Sequence, residues 1–349
     1  MSRYLEFDPD RLDLLPFSKI PHTVVKEQFA SAPMRGASFA DFWGSLPAIH
    51  AGNAVRTIVR RMVEARGKRR AIVAACGAHV VKCGLSPVLI SLMREGFITA
   101  LAINGATAIH DTEIALFGAT SELVGAGLHL GHFGMACETS EFHNSAMSSA
   151  RDNQEGAGEA LGRLLCAQGA PNASDSLLAS AYALGIPVTV HVAIGTDIVH
   201  MHASAQGAAL GEASIRDFRI LTAAMQSLSD GGVLLNIGSA VVLPEVLLKV
   251  IACLRNTVPD FTGFLGVNMD MVQHYRGNEQ VVTRVKALGG EGISITGHHE
   301  IMIPLLAFAL FEEWRVRDTI SAIGESVSSQ KHPFAGAAEP SVEEIITAL

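Results

Sequence analysis

The chain has 349 residues, a length that suits either two average domains or one large α/β domain. Hydrophobic residues make up 49% and charged residues 17%, which supplies enough apolar surface for a large core and excludes an intrinsically disordered chain. The 26 Lys and Arg against 34 Asp and Glu give a net charge of −8, and the longest basic run is RGKRR at 66–70. Nucleic acid is therefore not expected as a partner.

The cysteines and the N-terminal segment predict a cytoplasmic protein. Five cysteines are scattered without a CxxC pair, and no apolar segment typical of a signal peptide precedes them. One uncharged stretch, Ser176 to Thr196, is 21 residues long and could cross a bilayer on length alone. Gly185 and Pro187 divide it into a helix and a buried strand, so we expect no membrane association.

The predicted elements alternate strands with helices along most of the chain. An amphipathic helix is predicted over 51–66. It is followed by a strand over 71–75, a helix over 86–95 and a strand over 98–103, and these last three elements make a right-handed βαβ unit. Residues 125–172 are interpreted as a loop followed by a helix, suited to a lid or an interface. The remaining predictions are strands at 186–192, 232–237, 264–269 and 293–296, and helices at 215–228, 243–256 and 300–314.

Several predicted strands are apolar on both faces, so helices must cover both sides of the sheet. The fold class is therefore α/β, with a doubly wound, mostly parallel sheet. Residues 1–69 are predicted to form an N-terminal extension and a helix packed on the core, 70–317 the α/β domain, and 318–349 a C-terminal arm.

Small residues follow four of the strands, where ligands bind in doubly wound sheets. They are Gly77, Asn104-Gly105, Gly195-Thr196-Asp197 and Gly238-Ser239. Lys82 offers a cation for an anion such as a pyrophosphate. Each glycine alone is better explained by a tight turn, but their joint placement favours a ligand site. The GxGxxG fingerprint is missing, because the glycines at 156, 158 and 162 have the wrong spacing and follow a polar loop.

Histidine groups leave a metal site open as an alternative. They comprise His129, His132 and His143; His191, His200 and His202; and His298 and His299 with Glu300. In a strand, His200 and His202 would place both rings on one face, and a metal-dependent hydrolase or lyase is then possible. The commoner roles are lining a ligand cleft or partnered burial. The acids Asp111, Glu113, Asp197 and Asp270 either cap helices or bind a cationic substrate, while Cys76 and Cys83 are expected to be buried rather than nucleophilic.

Four stretches resemble the deoxyhypusine synthase family. They are GAHVVKCGLSPVLISLMREGFITALAINGATAIHDTEI, ALGIPVTVHVAIGTDI, GGVLLNIGSAVV and GHHEIMIPLLAFAL, which span roughly residues 70–314. The resemblance implies a variant of the nucleotide-binding fold that holds NAD in a cleft between subunits of a homo-oligomer, a tetramer in that family. It also implies a polyamine-like small-molecule substrate and transferase or oxidoreductase activity.

The chain departs from that family at its catalytic position. The imine-forming lysine of the family is replaced by Leu243, which cannot form an imine. An aspartate expected at the start of the last helix is His298, and the serine-rich first turn of the family is replaced by AHVVK. Lys82 is the lysine nearest to a predicted strand end and is a candidate substitute nucleophile.

These comparisons lead to a predicted site for NAD or a related small molecule, without the imine chemistry. The predicted catalytic residues are His200, Asp197 and Lys82, and the predicted cofactor contacts are Gly77, His79, Asn104, Gly105, Asp111, Asp197, Gly238, Ser239 and His298. No residues are assigned to a metal. A ligand-binding oligomer without catalysis is the third possibility.

Overall fold

Six parallel strands form one sheet in the part of the chain that the structure describes, in the order β3-β2-β1-β4-β5-β6. The strands are β1 Ile72–Cys76, β2 Ala100–Asn104, β3 Val188–His191, β4 Val233–Ile237, β5 Leu265–Asp270 and β6 Glu291–Thr296. The chain builds outward from β1 to β2 and β3, then returns to the other side of β1 and continues with β4. The strand order thus reverses between β1 and β4, which is the arrangement of doubly wound nucleotide-binding sheets. The predicted parallel sheet is confirmed.

The described residues also form helices of very different lengths. They are α1 Phe39–Ser45, α2 His50–Gly67, α3 His79–Lys82, α4 Ser86–Arg94, α5 Gly105–Phe117, α6 Val124–Leu130, α7 Cys137–Asn153, α8 Ala157–Ala167, α9 Leu177–Leu184, α10 Gly207–Ala224, α11 Val242–Thr257, α12 Tyr275–Gly277, α13 Arg284–Ala287 and α14 His299–Ser329. A π-helical turn, Asn278–Thr283, joins α12 to α13. None of the helices in the described part of the chain has both the length and the apolar character that a bilayer span requires.

Burial on both faces explains why the central strands are continuous apolar runs. All residues of β1, β3, β4 and β5 are buried, whereas β6 is a largely exposed edge strand. One face of the sheet packs on a core from α10, α11 and the segment before β5, which includes Leu221, Leu247, Phe261 and Phe264. Sheets covered on both sides need such uninterrupted hydrophobic strands.

Side chains from helix α10 accept hydrogen bonds from backbone N–H groups at the outer edge of β3. The Asp217 carboxylate accepts the backbone N–H of Val190 at 2.7 Å and that of Gly158 at 3.0 Å, and the Ser214 hydroxyl accepts the N–H of Val192 at 3.1 Å. These bonds replace the strand partner that an edge strand lacks. They also fix α8 and α10 against β3.

The prediction of a loop within residues 125–172 is wrong, because most of this segment is helical. Helices α6, α7 and α8 fill it, and α7 buries the side chains Phe142, His143, Ala146 and Met147. The glycines and polar residues suggested a loop, but buried positions recur in α7 at helical spacing. The segment therefore packs as part of the α/β unit and is not an extended loop.

The structure is a computed structural model that describes residues 3–329, with side chains to residue 319. It divides into two compact units, Met1–Ile58 and Val59–Leu349. In the smaller unit, the Arg56 guanidinium lies 4.9 Å from the centre of the Trp43 ring and donates to the Trp43 carbonyl at 2.7 Å. Helix α14 extends beyond the predicted 300–314, and most of the predicted arm, 318–349, lies outside the described residues. The limits 1–69, 70–317 and 318–349 remain a proposal.

Candidate functional site

The turns after β1 and β4 meet at the reversal of strand order. The Gly77 N–H donates to the Ile237 carbonyl at 2.9 Å, and the Gly238 N–H donates to the Met269 carbonyl at 3.0 Å. A Cβ on Gly77 would overlap the Gly238 carbonyl oxygen, so the two backbones approach as closely as they do because Gly77 has no side chain. The strand-end turns therefore adjoin at one edge of the sheet.

The turn after β2 carries a carboxylate from the segment after β3. A Cβ on Gly105 would overlap the Asp197 Oδ2, which places this carboxylate directly against the first residue of α5. Asn104 is the N-cap of α5, and its Oδ1 accepts from the Thr107 N–H at 2.9 Å and from the Thr107 hydroxyl at 2.6 Å. The predicted site residues Asn104, Gly105 and Asp197 thus lie together.

His200 and Asp197 form a buried pair on a short 3-10 helix, Ile198–Met201. The His200 Nδ1 accepts the N–H groups of Gly195 at 3.2 Å and Asp197 at 3.3 Å. These bonds place the proton of the neutral ring on Nε2, which lies 3.8 Å from the Asp197 Oδ2. Burial raises the pKa of Asp197, and the neighbouring His200 partly offsets that rise. Such a pair can hold and transfer one proton.

The expectation that His200 and His202 share a strand is wrong, because both belong to the 3-10 helix and its C-terminal cap. The His202 Nε2 lies 3.1 Å from the Gly134 carbonyl oxygen. Among the residues the structure describes, no cluster of three or more His, Cys, Asp or Glu could hold a metal ion.

A small internal cavity of about 20 Å³ lies behind the pair and is lined by His143, Asp197 and His200. This volume suits one water molecule. Burial lowers the pKa of His143 to about 4, so the ring is neutral at pH 7. Its Nε2 has no hydrogen-bond partner among the described residues. The cavity therefore places a second imidazole close to Asp197 and His200.

A larger pocket of about 210 Å³ opens on the other side of Asp197. Its titratable lining residues are Lys82, His110, Glu113, Glu122 and Asp197. Burial acts to raise the pKa of Glu113, but hydrogen bonds from His110 and Thr120 outweigh it and lower the pKa. Lys82 is exposed, and its ammonium group makes no hydrogen bond or ion pair within the described residues. Sequence reasoning proposed Lys82 and Asp197 separately, and the structure places both on this pocket.

Asp111 does not belong to the pocket, and its assignment as a cofactor contact is corrected. Its carboxylate accepts the Ser176 hydroxyl at 2.6 Å and the N–H groups of Leu177 at 2.7 Å and Leu178 at 3.0 Å. It is fully buried against the N-terminus of α9, where burial raises its pKa to about 6. Asp111 is thus a structural helix cap.

The start of α14 presents a different histidine from the predicted one. His298 is exposed and its Nδ1 lies 3.8 Å from a Glu300 carboxylate oxygen, whereas the next residue, His299, is buried. The predicted contact His79 is exposed at the start of α3, with its ring centre 5.8 Å from that of His299. The inward-facing group is therefore one residue later than predicted.

Leu243 lies in the first turn of α11 and is fully buried in the core. Its N–H donates to the hydroxyl of Ser239 at 3.3 Å, which occupies that oxygen at the turn after β4. Because the Leu243 side chain packs among apolar neighbours, it does not present a functional group to the strand-end edge.

A separate hollow of about 280 Å³ lies at the amino end of β3, beside Glu159, Tyr182 and Pro187. Ligand sites of doubly wound sheets lie at the carboxyl ends of the strands. The pocket at Asp197, although smaller, therefore has the better position for function.

A model of the family described as "Arginine dihydrolase ArgZ-like, C-terminal, Rossmann fold" matches residues 56–152. No curated protein matches the chain in sequence. Among solved structures, the chain is similar to a putative LOR/SDH protein from Methanococcus maripaludis S2, with 16% identity, a TM-score of 0.44, and coverage of 74% of this chain and 69% of that one.

Two further solved structures are similar to this chain, with comparable identities and TM-scores. AgrE in complex with ornithine and NAD+ has 15% identity and a TM-score of 0.49, covering 76% of this chain and 34% of AgrE, so this chain spans about a third of that protein. A putative deoxyhypusine synthase from Entamoeba histolytica has 12% identity and a TM-score of 0.46, covering 80% of this chain and 94% of that one. The family model and the strand order agree on a Rossmann-type α/β fold.

Proposed function

We propose that this protein binds NAD or a closely related dinucleotide along the carboxyl edge of its sheet. The observation that carries the proposal is the reversal of strand order between β1 and β4, with glycine turns at both adjoining strand ends. In sheets of this order the dinucleotide lies across that reversal, where small residues allow its phosphates to approach the backbone.

The residues at the edge suit the two polar parts of such a ligand. The Asp197 carboxylate, against the end of β2, accepts hydrogen bonds from ribose hydroxyls, and Lys82 on the same pocket neutralises phosphate charge. The first turn of α5 is a poor place for a phosphate, because Asp197 already brings a negative charge there. When bound, the dinucleotide would supply hydride transfer, and the protein's part is to position it.

The pocket at Asp197 favours a substrate that carries amino groups. Its lining includes the three acids Glu113, Glu122 and Asp197 against the single lysine Lys82. Carboxylates in a partly closed pocket attract cations such as the ammonium groups of a small substrate. A small polyamine-like molecule is therefore the proposed substrate class, in line with the resemblance to deoxyhypusine synthases.

The catalytic part of the proposal assigns proton transfer to His200 and Asp197, and an NAD-dependent transferase or oxidoreductase activity to the protein. The lysine-imine route is left out, because Leu243 is a core residue. Lys82 is exposed on the same pocket and remains the candidate for nucleophilic attack.

Replacing Asp197 by Asn is expected to weaken NADH binding about tenfold, which corresponds to about 1.4 kcal/mol. The reason is the loss of a charged acceptor for ribose hydroxyls in a buried position. Isothermal titration calorimetry with NAD+ and NADH measures the change. Asp152→Asn, on an exposed carboxylate paired with Arg151, is the control and should bind as the wild type does. Absence of binding heat and of a thermal shift in the wild type at millimolar ligand would end the dinucleotide proposal.

We further propose that the protein is a homo-oligomer, with the tetramer of the resembled family as the expected form. Large apolar side chains are exposed on the turns at the carboxyl edge of the sheet, including Ile194, Met201, Val241, Val272 and Tyr275. Exposed apolar groups gathered at one edge are typical of surfaces covered by a partner. Sedimentation velocity at micromolar protein is expected to show an assembly, and a monomer at that concentration would contradict this prediction.

A further inference from the structure

A second pair of polar side chains, Asp270 and His299, lies at the ends of β4 and β5, apart from the pocket at Asp197. Asp270 is the last residue of β5 and His299 is the first residue of α14. The His299 side chain is 1% exposed, and neither of its ring nitrogens has a hydrogen-bond partner among the described residues. Buried imidazoles without partners are rare, because both nitrogens lose their hydrogen bonds to water.

The backbone is shaped around this ring. Gly238 has a φ of +67°, and a Cβ there would lie 2.6 Å from the Cε1 of His299. Glycine is needed at this position both for the left-handed conformation and for the space that the ring occupies. The turn after β4 thus holds the His299 ring over the end of the sheet.

The neighbours of His299 determine which of its two ring nitrogens carries the proton. Its Nε2 lies 3.8 Å from the Asp270 Oδ1, which also accepts the Met271 N–H at 2.8 Å. A neutral ring beside a carboxylate carries its proton on the nitrogen nearest to that carboxylate. The Nδ1 of His299 is then an acceptor without a donor. The titratable groups nearby include Asp270, His79, His298 and Glu300, and the Cys83 thiol donates to the Glu300 carboxylate at 3.6 Å.

We infer that His299, oriented by Asp270, binds the hydroxyl group of a small molecule at the ends of β4 and β5. An acceptor nitrogen in a buried position calls for a ligand that donates a hydrogen bond. A carboxylate ligand is excluded by repulsion from Asp270 and Glu300, whereas a neutral hydroxyl meets no such repulsion. The ring of His79, an exposed residue, has its centre 5.8 Å from that of His299 and lies on the solvent side of it. The inference does not depend on dinucleotide binding.

Trifluoroethanol at millimolar concentration is a suitable probe, because fluorine NMR detects its binding directly. The matched control probe is trifluoroethyl methyl ether, which has the same fluorinated group but no hydroxyl proton. We expect saturable broadening of the trifluoroethanol signal, and binding of the ether at least tenfold weaker. His299→Phe, which keeps a ring and removes both nitrogens, is expected to weaken trifluoroethanol binding at least tenfold. His298→Phe, on the exposed neighbouring residue, should leave it unchanged.

A second measurement covers the case in which His299→Phe does not fold. Nitrogen NMR of the histidine rings in the wild type is expected to show one Nδ1 resonance moving with trifluoroethanol and remaining still with the ether. Asp270→Asn should reduce that response, because the ring then loses the carboxylate that fixes its proton on Nε2.

Equal binding of alcohol and ether, unchanged binding in His299→Phe, or no histidine resonance that responds would each overturn the inference. Calorimetry with NADH is scored separately. If NADH fails to bind while trifluoroethanol still binds at His299, the dinucleotide proposal falls and this inference stands.

Discussion

Gly77→Ala is expected to destabilise the protein by about 3 kcal/mol. The new Cβ would overlap the carbonyl oxygen of Gly238, which is backbone and cannot rotate away. Relief requires the turns after β1 and β4 to separate, and the Gly77 bond to the Ile237 carbonyl is then strained. The cost arises at the reversal of strand order, so the substitution also moves the edge that carries the proposed ligand site.

Urea unfolding followed by circular dichroism measures this loss as a lower transition midpoint with an unchanged slope. Gly207→Ala is the matched control, because Gly207 begins α10 and a Cβ there meets no atom within 4 Å. Alanine is the better helix former, so the control should be neutral or stabilising by up to about 1 kcal/mol. Equal stabilities for the two variants would show that the turns after β1 and β4 are not in close contact.

The sheet could be predicted from the sequence because its strands are buried on both sides. The predicted strands at 71–75, 232–237 and 264–269 each differ from the observed ones by about one residue at either end. Continuous apolar runs bounded by glycine leave little freedom for another structure. Helix α7 could not be found in this way, since its exposed face is polar, and α6 could not be found because it buries no residue and contains two glycines.

The candidate site could be located from the sequence only in part. A parallel sheet brings all strand ends to one edge, so Gly105 and Asp197 could be predicted to lie near each other. Asp111 was misassigned because a buried helix cap and a ligand contact look the same in one sequence. Its partner Ser176 lies 65 residues away along the chain.

His299 could have been found from helical spacing. His299, Ile303, Leu306 and Leu310 are all buried and follow the spacing of one helix face, whereas His298 lies outside that stripe. The apolar residues downstream therefore indicate which of the two histidines faces inward. The missing hydrogen bonds of the ring, by contrast, depend on the positions of β4 and β5 and have no signal in the sequence.

The second large effect that we expect is a change in the free energy of unfolding with pH, caused by the titration of Asp217. Burial raises the pKa of this carboxyl to about 7 in the folded protein, while in the unfolded chain it titrates near 4. Between these values the folded state binds the proton and the unfolded state has lost it. The stability contribution of Asp217 therefore falls as pH rises from about 4 to about 7, by about 4 kcal/mol in total.

Two buried histidines act in the opposite direction. Burial lowers the pKa of His143 and of His191 to about 4, whereas unfolded histidine titrates near 6.5. Below about pH 6.5 the unfolded chain takes up protons that these folded rings refuse, so their contribution is lost as pH falls. The wild-type profile therefore contains opposing slopes, and only a comparison of variants separates them.

Asp217→Asn removes the carboxyl titration and leaves both histidines in place. The difference in unfolding free energy between the wild type and this variant is expected to change by about 4 kcal/mol between pH 4 and pH 7.5, with the wild type relatively more stable at the acidic end. Urea unfolding at half-unit pH steps measures it, and Asp152→Asn serves as the exposed-carboxylate control. Parallel profiles for the wild type and Asp217→Asn would mean that Asp217 is ionised throughout this range. The N–H groups of Val190 and Gly158 would then outweigh the burial of its charge.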